Sequence, residues 1–277
     1  MNRDIEEIEF TIFDTETTGL DPRCGDRIVE IAAIRVKGSS ICGKFESLVN
    51  PGRPVSPGAF AVNRISSDML ADAPAPDAVL PGFLDFIKGS CLCSYNLPFD
   101  LVFLMNEMAL GNAGSLDGVP LMDVLAMARR LLPDLERHAL WFVAGALGIE
   151  QRQEHRAMSD VDMTWQVFQK LKASLRSKGI SDYGHCLGLF GLNQQILDDL
   201  TSRKLAKIQE AIDTSLRLKI KYMSCSDGQV SERLVLPKEI RRDKRHAYVI
   251  GHCFLKNEER MFRVDSILDI NIVSEIK

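Results

Sequence analysis

The chain has 277 residues, of which 45% are hydrophobic and 26% charged, and its formal net charge is −4 at pH 7. This ordinary globular composition is long enough for one large domain or two smaller ones. No window reaches the run of about 18 apolar residues that a membrane span needs. The first residues, MNRDIEEIEF, lack the charged-then-apolar layout of a secretory signal. We therefore expect a cytoplasmic protein without a membrane span.

Charge is distributed unevenly along the chain. Residues 1–200 carry 27 acidic and 18 basic side chains, whereas residues 201–277 carry 11 and 16. This asymmetry predicts two units with different roles. The basic unit would suit phosphate groups, although a solvated basic surface explains it equally well. The seven cysteines match neither a zinc knuckle nor a disulfide framework, so we expect them to be reduced.

The first two thirds of the chain predict an α/β domain. Strands are predicted for IEFTIFDT at 8–15, RIVEIAAIRV at 27–36, CGKFESLVN at 42–50 and SCLCSY at 90–95. Helices are predicted near 66–70, in the second half of 77–89, and at 99–109, 121–132, 139–147 and 158–175. This order favours a mixed sheet covered by helices.

The last third of the chain has a different pattern. The segment SLRSKGISDYGHCLGLFGLNQQ at 174–195 contains four glycines without a clear period and predicts a connector. A helix is predicted at 196–216. Five short strands are predicted at 216–224, 232–237, 246–255, 260–264 and 267–273, and strands so closely spaced are typical of a small barrel.

Two carboxylates follow the first apolar run, in TIFDTETTGLDP at 11–22. Residues two apart on a strand share a face, so Asp14 and Glu16 project together while Thr15 points away. Like charges on one face repel unless a cation neutralises them, and hard oxygen ligands suit Mg²⁺ or Mn²⁺. Because a solvated strand end also explains the pair, the pattern alone is weak.

Two further polar clusters follow predicted elements. Asp100 opens an apolar helix after a buried strand, with Asn96 and Phe99 beside it, and α/β sheets place ligands at strand ends. The helix dipole alone also accounts for an acidic residue there. His155 precedes Asp160, which begins a long helical pattern; an exposed histidine and a helix cap explain these two without function.

The three clusters together resemble a known family. FTIFDTETTGL, YNLPFDLVFL and HRAMSDVDMT closely resemble the three exonuclease motifs of the DEDD family of 3′–5′ exonucleases. The histidine of H-x-A-x-x-D is typical of the subclass that includes the proofreading epsilon subunit of bacterial DNA polymerase III and RNase T. The resemblance covers about residues 8–171 and implies an RNase H-like fold.

The resemblance also implies roles for individual residues. Asp14, Glu16, Asp100 and Asp160 would hold two divalent cations, Mg²⁺ or Mn²⁺, and His155 would act as the general base. Contacts with the 3′-terminal nucleotide would come from Thr15, Thr17, Thr18, Gly19, Leu20, Asn63, Asn96 and Phe99, of which Leu20 would wedge against the base and Phe99 is more simply explained by packing.

One departure from the family pattern concerns the substrate. Asn63 and Arg64 stand where many relatives carry histidine and glycine. This difference leaves the substrate preference open, between DNA and RNA and between single strands and duplexes.

The basic unit resembles a WYL domain, which is a small SH3-like or Sm-like β-barrel. The matching segments are IQEAIDTSLRLKIKY, RLVLPKEI, AYVIGHCF and ERMFRVDSILDI, although the name-giving tryptophan is absent and Ser266 replaces an arginine. The resemblance implies a pocket for nucleic acid or a nucleotide formed by Arg233, Tyr248, Arg260 and Arg263. Arginines that merely line strand edges are an equal alternative.

We therefore predict an exonuclease domain at 7–173, a linker containing a helix at 174–206 and a WYL-like domain at 207–277. The predicted activity is metal-dependent 3′→5′ hydrolysis of nucleic acid. Three alternatives stay open, namely a ribonuclease that trims RNA 3′ ends, a non-catalytic, ligand-responsive nucleic-acid-binding regulator and an accessory proofreading subunit. Retention of the four carboxylates and His155 argues against the regulator. A replication or repair partner and the oligomeric state stay undetermined.

Overall fold

The computed structural model describes residues 3–150, 156–192, 194–224, 227–243 and 246–273, without the side chains of 194–200. The helices are α1 Pro57–Asn63, α2 Ser67–Leu70, α3 Pro76–Ile87, α4 Leu97–Gly111, α5 Val124–Leu131, α6 Leu140–Ala146, α7 Ala157–Ser177, α8 Tyr183–Phe190 and α9 Gln194–Asp213. The strands are β1 Glu9–Thr17, β2 Ile28–Lys37, β3 Ser40–Leu48, β4 Cys91–Ser94, β5 Leu121–Asp123, β6 Arg217–Met223, β7 Val230–Arg242, β8 Ala247–Cys253, β9 Glu258–Arg263 and β10 Ile267–Val273.

The first sheet has the strand order β3-β2-β1-β4-β5. β2 pairs antiparallel with both β1 and β3, whereas β4 runs parallel to β1 and to β5. β1 is therefore the central strand, and its carboxyl end points the same way as that of β4 and extends past it. The predicted mixed sheet with flanking helices is confirmed.

The alternation of side chains along β1 divides the core into two layers. Phe10 and Ile12 pack in a buried cluster with residues of α5, α7 and α8. Phe13 packs on the other face, in a cluster with residues of α3 and α4. Asp14 and Glu16 continue the phase of Phe10 and Ile12, so both carboxylates project toward the α7 side of the sheet.

The second sheet is antiparallel and has the order β10-β6-β7-β8-β9. Leu205, Ile208 and Ala211 of α9 pack into a buried cluster with its strands. The described strand pairings include none between β9 and β10, so this sheet is open and closure into the predicted SH3-like or Sm-like barrel is not confirmed. Its apolar side chains are covered by α9, which provides burial without closure.

The predicted connector at 174–195 was wrong over much of its length. α7 continues to Ser177, and α8 follows within the same segment. Cys186, Leu187 and Phe190 of α8 are buried in the cluster that contains α7. Glycine disfavours a helix by only about 1 kcal/mol per residue, which the burial of these side chains offsets.

The two sheets are joined through a shared core and through Arg130. Met223 and Leu268 of the second sheet are buried in the same cluster as residues of α5, α7 and α8. Arg130 Nη2, at the end of α5, donates hydrogen bonds to Met223 O at 2.7 Å and to Ser266 Oγ at 2.8 Å. Both apolar and polar contacts therefore hold the second sheet against the first unit.

Two further properties concern the described part of the chain. None of its helices combines the length and apolarity that a membrane crossing requires. All six cysteines described are free thiols, four of them buried and two exposed.

Candidate active site

Three carboxylates converge where β1 ends. Carboxylate oxygens of Asp14, Glu16 and Asp160 lie within 4.8 Å of one another, and all three residues are partly exposed. Asp14 and Glu16 come from β1, while Asp160 belongs to the first turn of α7, which covers the same face of the sheet. The packing of α7 on β1 thus brings together residues that are more than 140 positions apart in the sequence.

Asp100 approaches from the opposite face of the sheet. It lies in the first turn of α4 and is only 3% exposed. Its Oδ1 accepts hydrogen bonds from Thr15 N at 3.0 Å and Thr15 Oγ1 at 2.8 Å, and its Oδ2 accepts one from Ser94 Oγ at 2.5 Å. Because Thr15 points away from Asp14, it meets the helix on the other side. Asp100 therefore supports the strand end, and its oxygens are not part of the group of three.

The carboxylates of the site are partly withdrawn from water and repel one another. Burial first, then repulsion from Asp100 and Asp160, raises the pKa of Asp14 well above its usual range. Burial followed by repulsion from Asp160 raises the pKa of Glu16 to about 8. Burial also raises the pKa of Asp100 to about 6, against the hydrogen bonds that it accepts. A divalent cation relieves this repulsion in place of protons.

A partly buried ion pair that the sequence did not predict holds the start of α7. Glu30 of β2 lies opposite Glu16 in the strand register and is 1% exposed. Its carboxylate accepts hydrogen bonds from the Arg156 guanidinium, with Nε at 3.0 and 3.1 Å from the two oxygens, and from Ala157 N at 2.9 Å. The pair therefore fixes the helix that presents Asp160. The sequence feature that could have indicated this pair is the single glutamate inside the apolar strand RIVEIAAIRV.

The strand register changes at the site. Glu16 pairs with Glu30, but Thr17 pairs with Ile28, so Val29 is skipped. Such bulges redirect side chains and end regular pairing, and they are common beside active sites. The chain leaves the sheet directly after the second carboxylate.

The threonines of the first motif shape the loop from within. Thr17 Oγ1 donates a hydrogen bond to Gly19 O at 2.6 Å, and Thr18 Oγ1 donates one to Asp26 Oδ1 at 3.0 Å. A side chain at Gly19 would place its Cβ 2.3 Å from Asp26 Oδ2. These hydroxyls, like that of Thr15, are thus engaged inside the protein, whereas Leu20 is 83% exposed.

The other residues predicted to contact the substrate come from two helices. Asn63, at the end of α1, is 1% exposed and donates a hydrogen bond from Nδ2 to Thr17 O at 3.3 Å. Asn96 is exposed directly before α4. Phe99 is partly buried, with its ring centroid 5.1 Å from that of Phe103. Packing against Phe103 thus accounts for much of the position of the Phe99 ring.

His155 lies outside the described residues, so its role as a general base stays a prediction. The next residue, Arg156, is described, and its guanidinium is held by Glu30. That contact places Arg156 beside Glu30, which lies opposite Glu16 in the strand register.

The four residues predicted to form a pocket on the second sheet do not converge. Tyr248 and Arg263 are direct cross-strand partners on β8 and β9, and Arg241 lies opposite Tyr248 on β7. Arg260 is three residues from Arg263, and Arg233 lies on the half of β7 that pairs with β6. The structure therefore brings together Arg241, Tyr248 and Arg263 in one row across three strands.

Comparison with known proteins agrees with this fold and site. The exonuclease model of the RNase T family matches residues 11–168, and a WYL domain model matches residues 203–272. The chain belongs to the RNase T exonuclease family. A DNA polymerase III subunit epsilon-like protein of Rhodobacter capsulatus is 36% identical over 203 residues, which are 72% of this chain and 28% of that protein. The chain thus spans less than a third of the length of this curated relative.

Two solved structures are similar. Exonuclease X in complex with 5′ overhanging duplex DNA is 27% identical with a TM-score of 0.50, over 62% of this chain and 95% of that chain. Escherichia coli exonuclease I in complex with a dT13 oligonucleotide is 20% identical with a TM-score of 0.56, over 88% of this chain and 55% of that chain. The second likeness concerns the fold alone, and it extends past the region that the exonuclease model matches.

The raised pKa of Glu16 predicts how the stability of the metal-free protein depends on pH. A carboxyl whose pKa is higher in the folded state contributes stability that is complete below its unfolded pKa and is lost as pH rises through its folded value, here about 8. In EDTA, the melting temperature should therefore fall as the pH rises from 4.5, the usual pKa of glutamate, to about 8, and Glu16→Gln should reduce this fall. Glu232→Gln, an exposed glutamate of β7, is the control. An equal fall in wild type and Glu16→Gln would contradict the electrostatic account.

Proposed function

We propose that this protein is a metal-dependent 3′→5′ exonuclease that hydrolyses phosphodiester bonds of DNA or RNA. The observation that supports the proposal best is the convergence of Asp14, Glu16 and Asp160 at the end of the central strand. In the sequence, these residues lie within motifs that follow the order of the three exonuclease motifs, and the chain belongs to an exonuclease family.

The donor set fits hard divalent cations. Three carboxylates lie within 4.8 Å, and burial together with mutual repulsion raises the pKa of Asp14 and of Glu16. We propose that Asp14, Glu16 and Asp160, with Asp100 close by, would hold two ions of Mg²⁺ or Mn²⁺. The chemistry that two such ions supply when bound is activation of the attacking water and neutralisation of charge on the leaving 3′ oxygen.

The remaining tasks fall to groups of the protein. Glu30 and Arg156 keep α7 in place, and Asp100 keeps the end of β1 in place. The 3′-terminal nucleotide would lie over the loop that follows β1, with exposed Leu20 against its base. His155 would accept the proton of the attacking water while the bond between phosphorus and the 3′ oxygen breaks.

We further propose that the second sheet binds nucleic acid or a nucleotide. The row of Arg241, Tyr248 and Arg263 supports this, because arginine forks match phosphate oxygens and an aromatic ring offers a stacking surface. Arg241 pairs with Glu239 and Arg263 with Asp265, so a phosphate would replace these carboxylates as the partner. For the domain division, we propose the exonuclease unit at 7–173 and a second unit that begins with α9. The packing of α9 on the second sheet favours this start over the sequence-based one at 207.

The carboxylate assignment predicts the effect of Asp14→Ala. This variant should remain folded but lose degradation of 3′ ends, because the cation site loses a central ligand. The measurement is a product ladder from 3′- and 5′-labelled single-stranded DNA, RNA and duplexes in Mg²⁺ or Mn²⁺, with EDTA as a second negative control. Full activity of Asp14→Ala would overturn the site, while a ladder on RNA alone would identify a ribonuclease.

The proposed base predicts a different outcome for His155→Ala. Turnover should fall by about 10²- to 10⁴-fold, the usual contribution of a general base, while metal binding is largely retained. Calorimetric titration with Mn²⁺ and the pH dependence of kcat separate the two effects. A variant with wild-type rates and a wild-type pH profile would exclude His155 as the base.

The proposed role of the second sheet predicts weaker binding by the double variant Arg241→Ala/Arg263→Ala, which removes both arginines of the row. Loss of cationic partners should lower the affinity for nucleic acid in an Asp14→Ala background, where the probe is not degraded. Fluorescence anisotropy measures the affinity, and Lys219→Ala, on β6 and paired with Glu232, is the control. Unchanged affinity of the double variant would contradict the proposed binding and assign these arginines no role beyond the surface of the sheet.

A further inference from the structure

Arg64 has a backbone conformation that its residue type disfavours. It caps the C-terminal end of α1 with φ 58° and ψ 20°, which is the left-handed region. A Cβ is unfavourable in this region, and glycine or asparagine is the usual choice at such a cap. The Arg64 side chain is exposed and adds no buried packing that would offset the backbone cost. Strain of this kind at an exposed residue points to a functional use of the side chain.

The backbone on both sides of Arg64 is anchored at the carboxylate cluster. Asn63 donates a hydrogen bond to Thr17 O at 3.3 Å, and its side-chain amide lies near enough to the Glu16 carboxyl to oppose the rise in the pKa of that group. Ile65 is fully buried, and its N–H donates to Asn63 Oδ1 at 3.1 Å. Arg64 is therefore one Cα step, about 3.8 Å, from a residue that contacts a proposed metal ligand. Its guanidinium extends from a fixed point at the rim of the site.

Arg64 differs from the other arginines around this loop. Those with carboxylate partners are Arg23 with Asp21, Arg27 with Glu107 and Arg53 with Asp26. The side chain of Arg64 makes no ion pair or hydrogen bond with another residue in the ranges that the structure describes. At the rim of an acidic cluster, a cation that is not already paired is available to an incoming anion.

A nucleic-acid substrate needs such a cation at this point. Its scissile phosphate would lie at the carboxylate cluster, where metal ions offset the charge. The neighbouring phosphates of the same strand would approach the acidic site without that compensation. A guanidinium fork offers two parallel N–H donors to phosphate oxygens, which fixes geometry as well as charge.

We propose that Arg64 binds a backbone phosphate within the last three nucleotides of the substrate and so positions the 3′ end over the carboxylates. The inference rests on the proposed function and specifies how this chain holds its substrate. It also supplies a reason for arginine at a position whose backbone favours glycine.

The first test measures binding without turnover. In the Asp14→Ala background, Arg64→Gly should bind a 5′-labelled single-stranded oligonucleotide about tenfold more weakly at low salt, as expected for the loss of one charge-assisted contact. The slope of log K against log salt should become shallower by about 0.7, the value for one phosphate contact on a single strand. Arg64→Lys should retain part of the affinity. Arg23→Ala removes an equal charge from an exposed, paired arginine and should bind like the parent.

The second test locates the phosphate. Neutral methylphosphonate linkages are introduced singly at each of the last three positions of the oligonucleotide. One of these linkages should weaken binding by the parent protein, which carries Arg64, but should have little further effect on binding by Arg64→Gly. Such coupling is expected of a direct contact. Absence of coupling at all three positions, or unchanged affinity of Arg64→Gly, would overturn the inference.

Two controls separate this inference from other outcomes. Arg64→Gly should melt at the same temperature as the parent or higher, because glycine relieves the positive φ; a marked loss of stability with unchanged binding would assign Arg64 a structural role instead. With Asp14 intact, Arg64→Gly should raise KM more than it lowers kcat. If wild type degrades no 3′ end, the proposed function fails; if wild type is active and the KM of Arg64→Gly is unchanged, only the present inference fails.

Discussion

Mutual repulsion among carboxylates at the end of β1 is the constraint on which the rest of this structure depends. Asp14, Glu16 and Asp160 place oxygens within 4.8 Å, where like charges destabilise one another. Burial first, and then this repulsion, raises the pKa of Asp14 and of Glu16 in the metal-free protein. A fold that tolerates the arrangement must hold these groups rigidly, and a divalent cation is the ligand that converts the repulsion into binding.

The scaffold provides this rigidity from both faces of the sheet. On one face, the Glu30–Arg156 pair and the Ala157 amide hold the first turn of α7 against β2. On the other face, Asp100 accepts two hydrogen bonds from Thr15. The alternation of β1 makes this division possible, because consecutive residues serve opposite layers. The strand end that carries Asp14 and Glu16 and the helix turn that carries Asp160 are therefore held by separate contacts.

The second sheet is attached to the layer that carries α7. Met223 and Leu268 enter the core shared by α5, α7 and α8, and Arg130 spans the junction by hydrogen bonds to Met223 and Ser266. The sequence marks this unit by its basic charge, and the structure shows how it joins the acidic unit. The row of Arg241, Tyr248 and Arg263 lies on strands other than those that supply Met223 and Leu268.

The sequence by itself determined the local elements and the types of residue at the site. The period of two in IEFTIFDT placed Asp14 and Glu16 on one face, and apolar spacing located most helices, because both follow from backbone geometry that neighbouring residues share. The family resemblance placed Asp160 and Asp100 with them. Where glycines obscured the period, as in α8, the local signal failed and burial of Phe190 decided the outcome.

Only the tertiary structure decided which side chains meet. It paired Glu30 with Arg156, directed Asp100 to Thr15 rather than into the group of three, and left the second sheet open under α9. It also set the positive φ of Arg64 beside the site. These features arise from contacts between residues far apart in the chain, and their energies depend on distance, burial and direction, which no local pattern in a single sequence contains.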